Sequence, residues 1–256
     1  MKAPIAIQLY SLRDVIHDDF LGTLRNVKEA GYDAVEFAGQ FHGRTAAQLK
    51  QELNEIGLKP LSTHFQMHRF DEELDEFSTY CAELGMPYVN CSGTTVESNE
   101  KVEEAREKLI QAALMFQSKG MQFGYHNHWA EFQVRNDQYI QETLLRPSIR
   151  VPMRAQFDTA WVRYYDLDVA AYMRGWGNRV TPPHFKDLPA NYKDIEPSQV
   201  DAEVGNGIID FEPIVAAMRD MGVLQNGIIV EREQYNKDIF ESIAIDAANI
   251  RKLLGA

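Results

Sequence analysis

Cysteine is scarce: Cys81 and Cys91 are the only two in 256 residues. They follow no metal-binding spacing, and two cysteines make no disulfide framework. They read as reduced intracellular thiols, with a cytoplasmic location as the expectation. Positive charge is also short. Lys and Arg number 26 against 38 Asp and Glu, a formal net charge of −12. Such a surface repels phosphate backbones and argues against nucleic acid as the main partner, though a local basic pocket for one small phosphate stays open. No apolar run reaches the roughly 18 residues of a membrane span, so no membrane partner is expected. The N-terminal MKAPIAIQLYSLRD meets Arg13 and Asp14 at once and lacks a small-residue cleavage site. It reads as a first strand and not a signal peptide. There is no low-complexity segment and no Ser/Gly linker, which leaves residues 1–256 as one domain.

What does recur is a junction in which a helical stretch ends at a glycine and an apolar, β-prone run follows. It occurs at Gly31 (EAGYDAVEF), Gly57, Gly85, Gly120 and Gly222, with less regular copies at QFDTA and VTPPHFKD. Glycine suits the left-handed position that closes a helix. Between the junctions, apolar residues such as Val102, Ala105, Leu109, Ala112 and Phe116 recur at three- or four-residue spacing, as in an amphipathic helix. Eight short strands are expected near 5–9, 33–37, 60–64, 88–91, 122–126, 154–158, 180–184 and 227–231. Repeated βα units with short connections imply parallel strands and right-handed crossovers. A closed barrel and an open doubly wound sheet both fit. Eight regular units, with no glycine-rich phosphate fingerprint after the first strand, favour an α/β (β/α)8 TIM barrel.

In such a barrel the site forms where strands end. The expected ends carry Gln8 and Tyr10, Glu36, His64, Asn90, His126 to His128, Asp158, His184 with Lys186 and Asp187, and Glu231 with Glu233. Alternation places His126 with His128, His184 with Lys186, and Glu231 with Glu233 on one side. Imidazoles and carboxylates converging on one axis match the N/O ligands of a borderline divalent ion. Each residue also has a plainer reading. A histidine at a strand end is commonly structural, Asp158 is placed to cap the next helix, Glu231 to pair with Arg232 or Lys186, and His64 and His68 to lie in surface loops. The weight comes from strands five to eight each supplying a ligand type at one level.

These residues lie in motifs that resemble the xylose isomerase-like TIM-barrel superfamily, in its branch of sugar (phosphate) isomerases/epimerases and inosose dehydratases. The resemblance runs through IQLYSLRD, GYDAVEFAG, GYHNHWAEF, FDTAWV, HFKD, VGNGIIDF and IVERE. YHNH…EF, HxKD and GxGxxDF are specific only together. The resemblance implies one divalent ion (Mn, Zn, Co, Fe or Mg) on Asp158, His184, Glu231 and a fourth ligand from strand five. The family's glutamate there is replaced by His126. That departure moves the metal preference toward Zn²⁺, Mn²⁺ or Fe²⁺ and leaves the epimerases' paired-glutamate proton shuttle incomplete. Glu131 replaces the carboxylate only if its loop folds back.

The implied activity is isomerisation or epimerisation of a small keto-sugar, sugar phosphate or polyol through a metal-stabilised enediolate. His128, Glu231 and Lys186 are the expected catalytic groups. Tyr10, Glu36, His64, Trp161 and Glu233 are the expected substrate binders. The alternative is a lyase or dehydratase acting on an inosose or a 3-keto-glycoside at the same metal. A nucleic-acid enzyme on this fold needs more histidines and carboxylates for a three-metal cluster. A non-catalytic sugar-binding module is disfavoured by retention of Asp158, His184 and Glu231. A homo-oligomer is a family-level expectation.

Overall fold

Register decides which polar side chains meet inside this protein. In the computed structural model, which describes residues 3–200 and 202–255, eight parallel strands surround a common axis. They are β1 (Ile5–Gln8), β2 (Ala34–Phe37), β3 (Lys59–His64), β4 (Tyr88–Cys91), β5 (Gln122–His126), β6 (Arg154–Gln156), β7 (His184–Phe185) and β8 (Ile228–Val230). Their hydrogen-bonded order is β6-β5-β4-β3-β2-β1-β8-β7. Bridges Ala155↔Val180 and Asp158↔His184 close the ring between β6 and β7.

That seam is where the expected strand at 180–184 differs. The ladder there is carried by Thr181 N to Ala155 O at 3.0 Å and His184 N to Phe157 O at 2.7 Å. Pro182 and Pro183 lie between these donors and have no N–H to give. Regular strand therefore starts only at His184.

Helices follow each strand and cover the outside. The longest are Phe20–Glu29, Ala46–Ile56, Phe70–Leu84, Asn99–Ser118, Phe211–Asp220 and Ile239–Leu253. Their ends are written locally. Thr45 and Gln48 form a capping box, and Gly57 (φ 83°) and Gly85 (φ 84°) close their helices in the left-handed conformation. Two further helices, Thr159–Tyr164 and Val169–Arg174, follow β6. A two-residue ladder between Val134–Arg135 and Gln138–Tyr139, turned by Asn136 and Asp137 at positive φ, elaborates the loop after β5.

The main core lies between the sheet and the helices. A second, small apolar layer of Ala6, Ala34, Leu61, Tyr88 and Ile229 fills the lower barrel. Above it the interior is polar. Asn90 donates to Ser62 Oγ at 3.1 Å and accepts from Thr181 Oγ1 at 2.8 Å. Gly124 makes room for this network, since a Cβ there would stand 2.4 Å from Asn90 Oδ1. Every further step up the axis leads to the rim. Among the described residues, no helix is long and apolar enough to cross a membrane.

Candidate metal centre and active site

The Gln8↔Glu36 register of β1 and β2 places two inward polar groups side by side. Gln8 Nε2 donates to Glu36 Oε1 at 2.8 Å, and Gln156 Nε2 to Glu36 Oε2 at 2.9 Å. His184 Nε2 lies 2.5 Å and His64 Nε2 3.2 Å from Glu36 Oε1. Burial alone would raise the Glu36 carboxyl, but the His64 and His184 imidazoles outweigh it and hold it well below the usual range. Glu36 is fully buried beneath the rim. Although expected as a hydroxyl binder, it does not line the cavity, because its two oxygens are taken by protein groups.

Above Glu36, one donor atom from each of His126, Asp158, His184 and Glu231 falls within 4.8 Å of the others. Each donor is aimed by its backbone. Asp158 Oδ1 caps the following helix, accepting from Ala160 N at 2.9 Å and Trp161 N at 3.3 Å, while Oδ2 has no hydrogen bond. The cap reading of Asp158 is met by Oδ1, and Oδ2 is the oxygen left for the ligand reading. His184 Nδ1 stands 2.7 Å from Glu231 Oε2 without hydrogen-bond alignment. Both ring nitrogens of His126 are buried and lack any partner. Buried polar atoms are almost always paired, so several orphans in one cluster point to a missing common partner.

Charge points the same way. Asp158, Glu231 and Glu233 share one ammonium, Lys186, whose Nζ lies 3.3 Å from Glu231 Oε1 and 3.7 Å from Asp158 Oδ2 and contacts Glu233 Oε1. Burial, with Glu231 adding to it against Lys186, pushes Asp158 up to about 7. Burial would also raise Glu231, but Lys186 and His184 hold it well below the carboxylate range. Burial pulls His184 down, yet Glu36 and Glu231 outweigh it and raise it to about 10. Burial and the neighbouring imidazoles push His126 far below 6.5. Two imidazole and two carboxylate ligand atoms in a buried, net-negative cluster fit a borderline divalent cation. His64, His126 and His184 form a second group that shares two members with the first.

A cavity of about 340 Å³ opens onto these groups. Tyr10, His64, Trp161 and Glu233, expected at the site, line it together with His126, His128 and Glu231. Lys186 lies behind the wall, buried, with its Nζ 4.6 Å from the centre of the Trp161 ring. His128, which follows His126 onto this side as alternation requires, is pushed down to about 4 by burial. Glu131 does not reach the ligand cluster. It accepts from Tyr125 OH at 2.5 Å and His128 N at 2.9 Å, and so ties down the loop that carries His128.

Sequence reasoning missed Ala38, Gln66, Ser92, Trp129, Pro197 and Ser198 in this wall. Trp129 adjoins the motif YHNH and was within reach of it. Pro197 and Ser198 lie far along the loop after β7, in a stretch with no pattern to find. Asp187, next to Lys186, faces away. It accepts from the backbone N–H of Leu188, Gly205, Gly207 and Ile209.

A family model described as the xylose isomerase-like TIM barrel matches residues 24–253. The chain belongs to this family. No curated protein sequence matches it. A sugar phosphate isomerase/epimerase from Parabacteroides distasonis superposes with a TM-score of 0.82 at 22% identity, over 98% of this chain and 94% of its own. The IOLI protein with a bound zinc atom gives 0.79 at 13% identity, over 100% of this chain and 98% of its own. The probable 3-DHS dehydratase AsbF from Bacillus anthracis gives 0.72 at 12% identity, over 98% of each chain. These likenesses establish a shared fold.

Proposed function

We propose that this chain is a divalent-metal-dependent isomerase or epimerase of a small carbohydrate, working by proton abstraction beside a carbonyl. The observation that carries the reading is the four-donor cluster of His126, Asp158, His184 and Glu231, with orphaned atoms on His126 and Asp158. The zinc in a structural relative and the isomerase/epimerase and dehydratase relatives support it. A bound divalent ion supplies Lewis-acid stabilisation of negative charge developing on a carbonyl oxygen.

The remaining work falls to the chain. Glu36 holds His184 through Nε2 and leaves Nδ1 for the metal, a carboxylate–histidine arrangement that fixes ring orientation. His128, kept in its neutral form by burial, stands on the cavity wall as the base for a carbon-bound proton. Glu231 shares that wall and serves as ligand and proton acceptor. Lys186 steadies Glu231 and Glu233, leaving Glu233 to accept from a substrate hydroxyl. Tyr10, Trp129 and Trp161 offer apolar faces to a sugar ring and His64 a polar edge. Substrates in this class are keto-sugars, sugar phosphates and polyols.

Metal analysis of the purified protein beside Asp158→Asn and Glu231→Gln tests the centre. Each variant is expected to lose bound metal, and full occupancy in both would refute it. Deuterium uptake beside the carbonyl of a ketose in D₂O tests the chemistry.

A lyase is the second reading, favoured by Glu131. With that carboxylate committed to Tyr125 and His128, no glutamate from the β5 loop joins Glu231 as a proton shuttle. After loss of the carbon-bound proton, the electron pair would then expel a β-hydroxyl or β-alkoxyl group, which leaves with a proton as water or alcohol. Incubation with 2-keto-inositol or a 3-keto-glycoside should give the unsaturated ketone. Deuterium uptake without elimination would exclude this branch.

A further inference from the structure

The loop VGNGIIDF after β7 has the composition of an anion cradle, and barrels commonly build a phosphate site from the loops after strands seven and eight. Here that cradle is already filled from within. The Asp187 carboxylate, 1% exposed, accepts from Leu188 N at 2.8 Å, Gly205 N at 2.9 Å, Gly207 N at 3.0 Å and Ile209 N at 3.0 Å. Gly207 is needed for this closure. A Cβ there would stand 2.4 Å from both Asp187 Oδ1 and Leu188 O. The nearby helix starts are occupied in the same way. Asp158, Asp210 and Asp238 accept from the first free N–H groups of the helices that follow β6, β7 and β8. Among the described residues of these loops, these backbone donors are taken by the protein's own carboxylates.

Side chains do not supply the missing charge. Among the described residues, the cavity wall contains no Arg or Lys, and it does contain Glu231 and Glu233. Lys186 behind it is shared by three carboxylates. Arg13, which stacks 4.5 Å over the Tyr10 ring, spends its guanidinium on the carbonyls of Tyr10 and Glu233. A neighbouring cleft of about 420 Å³ does carry Lys101 and Lys108. Each is paired, with Glu104 at 2.7 Å and Asp71 at 2.5 Å.

We infer that the cavity accepts an uncharged, unphosphorylated polyhydroxy carbonyl compound and rejects the phosphate ester of the same sugar. The aromatic faces of Trp129, Trp161 and Tyr10 suit such a ring, and a phosphate dianion near Glu233 would meet like charge in a partly desolvated site. This inference rests on the proposed sugar chemistry, whose failure is separable from its own.

The test uses the metal-loaded full chain and matched pairs: D-fructose with D-fructose 6-phosphate, D-tagatose with its 6-phosphate, and D-ribulose with its 5-phosphate. Deuterium uptake in D₂O is expected to be at least about 100-fold faster for the free member of a reactive pair. A phosphate ester that exchanges as fast as its parent overturns the inference. Should no compound exchange, the proton-abstraction reading fails, and quenching of tryptophan fluorescence still decides the inference. Quenching by free ketoses, with none by their phosphates, upholds it. Half-saturation by a phosphate at or below the concentration its parent needs overturns it.

Discussion

Glu231 and Arg232 are neighbours at the end of β8, and alternation sends them to opposite faces of the barrel wall. Inside, Glu231 joins a cluster whose His126 nitrogens and Asp158 Oδ2 have no partner. Outside, Arg232 pairs with Asp246 at 3.4 Å, and Asp246 also accepts from Val204 N at 2.7 Å. Arg232 N donates to Ser11 Oγ at 3.0 Å. Both clusters are buried and ionic. The outer one balances an arginine against an aspartate and ties the C-terminal helix to the loop after β7. The inner one carries excess negative charge and converging donors. A protein can bury charge to hold itself together or to hold something else, and the difference lies in whether the charges cancel.

The largest expected effect breaks the inner cluster. Asp158→Asn keeps an oxygen for the helix cap but removes a negative charge from the proposed ligand set. Affinity for Zn²⁺ or Mn²⁺ should fall at least about 1,000-fold in competition with a chromophoric chelator, with little change in melting of the chelated protein. Chelation should lower the melting temperature of the wild type and leave that of the variant nearly unchanged.

Asp246→Ala should reverse this pattern. It removes a buried carboxylate that pairs with Arg232 and accepts from Val204 N, a loss of about 1–3 kcal/mol in denaturant unfolding. Metal affinity should stay within about threefold, because no proposed ligand is touched. A large fall in affinity would mean that the two clusters are not independent.

The same aspartate predicts a pH effect. Burial, against Arg232, pushes Asp246 up to about 6, above the 3.8 of an exposed aspartate. The folded state therefore binds the proton more tightly between these values. Stability from this group is full below about 4 and is lost as pH rises through about 6. The difference in melting temperature between wild type and Asp246→Asn should shift in favour of the wild type on going from pH 7 to pH 4.5. An unchanged difference would show that Asp246 does not titrate in that window.

A smaller effect sharpens the inner cluster. Glu36→Gln preserves shape but weakens the grip on His184 Nε2. Metal affinity should drop about 10- to 100-fold, as for other carboxylate partners of ligating histidines. An affinity equal to wild type would make Glu36 merely structural. The smallest effect concerns the thiols. Burial pushes Cys91 up to about 12 and raises Cys81 further. The native protein should show negligible labelling by a disulfide reagent at pH 8 over an hour, and two labelled thiols after denaturation. Rapid native labelling would contradict their burial.

Much of this arrangement was legible in the chain. The glycine junctions and three- to four-residue spacing gave the eight βα units, since helix closure and amphipathicity are local. The 180–184 strand was misjudged because two prolines broke its ladder, while the seam beside it still closed through Thr181 and His184. His126, Asp158, His184 and Glu231 were readable as strand-end polar residues. Glu36 was readable as well, but its place beneath the rim was not. That depends on the depth at which β1, β2, β6 and β7 meet, and no local pattern encodes depth.

The metal-type donors at the rim show where that division lies. Sequence alone determined their identities and their faces, because a period of two is written in each strand. Tertiary structure decided which atoms were left without a hydrogen bond: Oδ2 and not Oδ1 of Asp158, Nδ1 and not Nε2 of His184, and no cradle at Asp187. Each choice turns on a partner contributed by another segment of the chain or by the start of the following helix. A hydrogen bond takes up one atom and leaves its neighbour, and only the folded barrel brings those partners within bonding distance.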